Sequence, residues 1–191
     1  MPIIVGISGF LLLFLADALD VLTLNRGGDK RMHKITASLR IVGYSAVSIP
    51  LLWVVLNLST QTQWFSWPGL ARVALWMFAA FSLGMLLWTV FFEIRTIRKK
   101  KGIPEDALVS EGSYSRCRHP GFWWFVALAL CLGVLEPSDD NVLMLFLMIL
   151  LDLILIWVQD VIFFPKLFAG YSGYKKAVPF LIPRRWRHKS R

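Results

Sequence analysis

The chain has 191 residues, 57% of them hydrophobic and 14% aromatic, with a formal net charge of +9. Its mean hydropathy of +0.59 excludes an ordinary soluble domain, in which apolar runs are shorter and charge is denser. The positive excess serves no nucleic-acid-binding motif; it fits Lys and Arg on cytoplasmic loops facing anionic lipid headgroups, so no nucleic-acid partner is expected. Crossing a bilayer takes roughly 20 apolar residues, and five blocks qualify in chain order. The first runs from Ile3 to Leu24. It lacks a positive leader and a small-residue cleavage site, so it reads as a span and not as a signal peptide. The second runs from Leu39 to Leu58, the third from Gly69 to Ile94. The fourth, Gly121 to Leu135, is short. The fifth runs from Asn141 to Phe164, with Pro165 expected to end it. The expected fold is one all-α integral membrane domain, 1–191, of about five transmembrane helices: two N-terminal helices in 1–68, a core in 69–183 and a basic tail in 184–191. No internal repeat is apparent, which weighs against an inverted-repeat transporter.

The connections alternate in charge. Arg26, Lys30, Arg31, Lys34 and Arg40 lie between the first two blocks, whereas Ser59 to Pro68 is uncharged. Arg95, Arg98, Lys99, Lys100, Lys101, Arg116 and Arg118 lie in the third connection. The fourth carries Glu136, Asp139 and Asp140, and the tail from Lys166 is basic again. With five spans this pattern places the N-terminus outside and the C-terminus in the cytosol, in a bacterial inner membrane or the endoplasmic reticulum. Trp53, Trp64 and Trp67 suit an aromatic belt at the outer boundary. The two cysteines, Cys117 and Cys131, are too far apart along the chain for an expected bridge, and no metal site is expected.

Three carboxylates fall inside the blocks. Asp17 and Asp20 are one turn apart and are expected to pair with nearby Arg or Lys. Asp152 lies near the middle of the fifth block, where an ionised carboxylate costs several kcal/mol unless paired or protonated. It shares a helix face with Gln159. Either it hydrogen-bonds another helix, through Tyr44, Ser45 or Thr89, or it lines a cavity.

The segment with chemical content runs from Leu108 to Phe122. Pro120 suits the first position of a helix. The amides of Gly121, Phe122 and Trp123 then lack intrahelical acceptors and carry the positive end of the helix dipole. With Arg118 and His119 beside them, and Gly121 permitting close approach, they suit a carboxylate or phosphate. The alternative is an interfacial anchor that rests on lipid phosphate.

Leu108-Val109, Gly112, Tyr114 and Arg118-His119-Pro120-Gly121-Phe122, together with Tyr171, Tyr174, Val178-Pro179 and Ile182-Pro183, resemble the two signature blocks of the isoprenylcysteine carboxyl methyltransferase and phospholipid methyltransferase family. The resemblance covers about Phe81 to Pro183. It implies S-adenosylmethionine as methyl donor and a lipophilic substrate, prenylcysteine-like or phospholipid or isoprenoid, entering from the bilayer. It further implies a cofactor site lined by Ala107, Leu108, Val109, Tyr114, His119, Pro120, Gly121 and Phe122, with Asp160 facing the cofactor's amino group. Tyr171 and Tyr174 would sit on a lid, Lys166 to Pro183, over that site; Trp186 and its basic neighbours would anchor the same segment at the interface. Arg118 and His119 are the residues expected at the reaction itself. The arginine that many of the carboxyl methyltransferases carry one turn before their acidic residue is missing here, where Leu155-Ile156-Trp157-Val158 stand, and so is the paired glutamate, replaced by Gln159. Two other classes remain: an NADPH-dependent membrane sterol reductase, whose Asn-Tyr is Gly121-Phe122 here, and a non-catalytic lipid- or metabolite-binding protein.

Overall fold

In hydrocarbon each backbone N–H and C=O must find its partner inside the chain, and continuous apolar sequence meets that demand as helix. A computed structural model describes residues 2–24, 30–56, 67–104 and 107–182. Arg26, Trp64, Pro183, Trp186 and the tail 184–191 lie outside the described residues, as does most of the uncharged connection before Trp67. Among the described residues all regular structure is helical.

Helix α1 (Pro2–Leu24) and α2 (Lys30–Leu56) form the N-terminal pair. α3 (Gly69–Leu87) passes through a π-helical turn (Trp88–Glu93) into α4 (Ile94–Lys101). α5 (Pro120–Leu135) comes after a 3-10 turn (Gly112–Ser115). α6 (Asp139–Val158) runs through a second π-turn (Gln159–Phe163) into the short α7 (Phe164–Leu167), and α8 (Tyr171–Ala177) ends the described helices. Four of these stretches are long and apolar enough to cross a membrane: Pro2–Thr23, Arg31–Leu56, Gly69–Lys101 and Asp139–Leu167. Pro120–Leu135 is apolar but shorter.

The helices outrun the apolar blocks at their charged ends. α2 begins at Lys30 and not near Leu39, so Arg31, Lys34 and Arg40 are helical. Likewise Arg95 and Arg98 to Lys101 extend the third helix instead of forming a loop. Lys and Arg are good helix formers, and in the last turn of α4 their charge complements the helix dipole. Pro165 does not end the last long helix, which continues to Leu167. The proline stands in the first turn after the π segment, where its missing N–H breaks no regular bond.

α1 and α2 pack tightly because both carry glycine at the crossing. A Cβ on Gly9 would lie 2.8 Å from the carbonyl oxygen of Gly43, the small-residue contact that lets membrane helices approach. Arg40 on α2 closes the same pair, reaching Asp17 at 3.0 Å and also Asp20 on α1. α3 packs on α5, and α6 on both α5 and α1. At the far end from the loop, the buried Glu136 pairs with Arg72 at 2.8 Å, Asn141 donates to the Glu136 carbonyl, and the Trp67 indole donates to Val134 O. Many large apolar side chains, such as Leu70, Met77, Phe92 and Phe146, face outward, as expected where lipid is the solvent.

Candidate functional site

The Leu108–Phe122 segment is fastened to the end of the third long helix through Glu93, Thr89 and Arg98. Glu93, on the π-turn, accepts from the backbone N–H of Ser113 at 2.6 Å and from its hydroxyl. Gly112 has φ of +62°, and a side chain there would run into the Glu93 carboxylate, which explains the glycine of the motif. The Tyr114 hydroxyl donates to Thr89 O at 3.0 Å, and Arg98 donates to Ala107 O at 2.8 Å.

The tail folds back over the mouth of α5. The backbone N–H of Arg118 donates to Pro179 O at 3.0 Å, and the Trp123 indole donates to Leu181 O at 2.8 Å. Tyr174 donates to Tyr114 O at 2.6 Å. Asp160, only 3% exposed, collects the rest. Arg118 Nε approaches it at 2.6 Å, Tyr171 donates at 2.7 Å and Lys175 lies at 3.1 Å. Arg118 also donates to the carbonyls of Lys175 and Val178, each at 2.8 Å. The guanidinium expected to grip an external anion is therefore spent on Asp160 and the tail.

His119 has a different position. It is 8% exposed, it stacks on Phe164 at 5.8 Å and meets Phe180 edge-on at 5.2 Å. Its Nε2 stands 3.8 Å from Asp160, too far for a hydrogen bond, and is buried without a partner. Burial holds the imidazole below its ordinary pKa, against an opposing pull from Asp160, so the ring is neutral near pH 7. Burial raises the hydroxyls of Tyr114, Tyr171 and Tyr174 and the Cys117 thiol above their ordinary values. The three tyrosines are neutral hydrogen-bond donors, and Cys117 is a poor nucleophile. Both cysteines are free and buried.

A cavity of about 550 Å³ opens beneath this roof, within the range that holds a cofactor or drug-sized ligand. Leu108, Val109, Tyr114, Arg118 and His119 line its upper end, with Pro120, Gly121, Phe122, Tyr171 and Tyr174. Ala107 and Asp160 are not on its wall. The Ala107 carbonyl is tied to Arg98, and the Asp160 carboxylate is enclosed by its donors. The Phe122 amide is not open, since it donates to His119 O at 3.3 Å. Gly121 has a packing reason: a Cβ there would sit 3.1 Å from Val90. The wall also includes Arg98, whose Nε is buried and unpartnered, and Phe91, Phe164 and Phe168. Sequence reasoning assigned Arg98 to a basic loop; the signal that would have found it is its spacing of one turn from Ile94 at the end of an apolar helix. Lower down the wall is apolar, with Phe10, Leu13, Leu51, Leu83 and Phe125, except for Tyr44, Ser45, Ser48, Asp152 and Gln159. Asp152 and Gln159 thus share one cavity; Gln159 also donates to Asp17 at 2.7 Å.

Compared with known protein families, with curated proteins and with solved structures, the chain matches none.

Proposed function

We propose that this protein is an S-adenosylmethionine-dependent integral membrane methyltransferase acting on a lipophilic substrate at the cytoplasmic face, akin to the isoprenylcysteine carboxyl and phospholipid methyltransferases. The observation that carries the reading is the cavity itself. Its upper end gathers the Leu108–Phe122 motif with unpartnered nitrogens of His119 and Arg98, and its lower end is apolar and lies among long apolar helices.

In this reading the chain crosses the bilayer five times, with the N-terminus outside. α5 is the short span; its 16 residues reach about 24 Å, less than the ~30 Å hydrocarbon core, so the bilayer thins around it. Arg95, Arg98 to Lys101, Arg116, Lys166, Lys175 and Lys176 then share the cytosolic side and meet anionic lipid, while Glu136, Asp139 and Asp140 lie outside.

The residues fit the cofactor. Buried nitrogens without partners are costly, and a carboxylate against Arg98 Nε and His119 Nε2 removes that cost. Phe164 and Phe168 offer faces for a purine, and Leu108 and Val109 an apolar wall. The cofactor supplies a methyl group on a sulfonium, ready for in-line displacement. The chain's part is alignment and exclusion of water. Tyr171, Tyr174 and Arg118 hold the tail over the mouth, and His119 orients the ligand beneath it. Asp160 acts through Arg118 and Tyr171, one layer behind the wall.

Isothermal titration of the detergent-solubilised protein with S-adenosylhomocysteine tests this. Saturable binding is expected, and His119→Ala and Arg98→Gln should each weaken it about tenfold or more, the loss of a charged or buried hydrogen bond. No binding by folded protein, or binding of NADPH instead, would sink the proposal.

A further inference from the structure

The lower half of the cavity holds a carboxyl group that no side chain of the upper half engages. Asp152 lies eight residues before Asp160 on the same helical run, about 12 Å deeper at 1.5 Å per residue. It lines the cavity, and no cation or hydrogen-bond donor among the described residues engages it. The nearest basic groups on the wall are Arg98 and Arg118. Arg118 is neutralised by Asp160 at 2.6 Å, and Arg98 is held at the loop through Ala107 O. Arg40 is engaged by Asp17 and Asp20. Gln159 spends its amide N–H on Asp17. Tyr44 stands across the same cavity, its ring edge-on to Phe91 at 5.2 Å, so a phenol and a carboxylate face one space without bonding each other.

A carboxylate in a membrane interior costs several kcal/mol unless it is paired or protonated, so Asp152 is ionised only where a partner engages it. The partner that holds it ionised is cationic or donates hydrogen bonds; a carboxylate ligand would meet like charge in a medium of low dielectric. We propose that Asp152, with Tyr44, forms a subsite for the amino group of a lipophilic amine whose hydrocarbon lies along Phe10, Leu13, Leu51 and Leu83. This rests on the methyltransferase reading for its place in a reaction, and it selects the amine over the carboxylate as the polar group of the substrate. The Asp152 carboxylate accepts hydrogen bonds from the ammonium, and Tyr44 flanks it.

The test is direct binding to purified protein in detergent, with oleylamine and oleate as probes of equal chain length, read by quenching of intrinsic tryptophan fluorescence, with S-adenosylhomocysteine titrated in parallel. Oleylamine should bind and oleate should bind about tenfold more weakly or not at all. Asp152→Asn, which keeps the shape and removes the charge, should weaken oleylamine about tenfold or more and narrow the preference. Tyr44→Phe provides a second variant should Asp152→Asn not fold, and should weaken oleylamine less. Equal binding of the two probes, an Asp152→Asn protein as selective as the parent, or a Tyr44→Phe protein that binds oleylamine as tightly as the parent, overturns the proposal. S-adenosylhomocysteine separates the two readings. If it binds while amine preference is absent, only the subsite fails; if it does not bind while amine preference and its dependence on Asp152 persist, the subsite stands and the methyltransferase reading fails.

Discussion

Replacing Asp160 with Asn removes one charge from a buried polar cluster. Breaking a buried ion pair from one side costs about 3–5 kcal/mol, because the other charge is left without compensation. Two features place Asp160→Asn near the lower end. Arg118 keeps its hydrogen bonds to the Lys175 and Val178 carbonyls. Lys175, whose side chain is 40% exposed, can turn to water and contributes little. The expected loss is therefore about 3 kcal/mol, read by denaturant unfolding in mild detergent. Because Arg118 and Tyr171 tie the tail to Asp160, trypsin should also cut faster after Lys175 and Lys176, which are exposed. The double variant Asp160→Asn/Arg118→Met leaves no unpaired guanidinium in this cluster and should be more stable than Asp160→Asn alone. A loss under about 1 kcal/mol, the scale of an exposed ion pair, with unchanged proteolysis, would refute the view that this cluster latches the tail.

Gly112→Ala should destabilise by about 1–2 kcal/mol for the left-handed backbone alone, and more for displacing the Glu93 carboxylate; unfolding curves indistinguishable from the parent would count against this account of the turn. His119 is buried with a lowered pKa. The unfolded chain takes up its proton near pH 6.5 and the folded chain only at lower pH, so the contribution of His119 to stability is fully present above about 6.5 and is lost as pH falls below it. His119→Gln should flatten that part of the stability profile, and an unchanged slope would contradict the assignment. Cys117, 3% exposed with its thiol pKa raised by burial, should resist maleimide in the native protein and react once unfolded; rapid native labelling would show the loop to be open.

The helical architecture was legible because apolar length is a direct physical requirement of the bilayer, and the blocks beginning at Ile3 and Gly69 mark their helices closely. Helix ends were not legible, because hydropathy falls at Arg31, Lys34 and Arg95 while helix propensity does not. The motif around Tyr114 and His119 could be seen as a site, and the cavity passes beneath it. A linear reading could not show which partner each polar residue takes. Arg118, Arg98 and Arg40 look alike in sequence, yet one holds Asp160, one faces the cavity and one holds Asp17 and Asp20. The two π-turns carry residues of the site. A π-turn inserts one extra residue and shifts the register of the helix beyond it, which is how Thr89, Glu93, Gln159 and Asp160 all reach the site. No local pattern in Trp88–Glu93 or Gln159–Phe163 announces the insertion.

Arg118 and His119 are adjacent, and their division of labour arises from the extended turn between the loop and α5. His119, at the head of the helix, has φ −126° and ψ 66°, so consecutive side chains diverge. Arg118 turns to the tail and Asp160; His119 turns to the cavity. The two roles are linked through charge. Were Asp160 bare at 3.8 Å from Nε2, its field would favour a protonated imidazole. Burial outweighs that pull, with Arg118 on the carboxylate opposing it further, and the ring is neutral. The tail therefore does more than cover the mouth. By presenting the Lys175 and Val178 carbonyls to Arg118, it holds the guanidinium against Asp160 beside the imidazole.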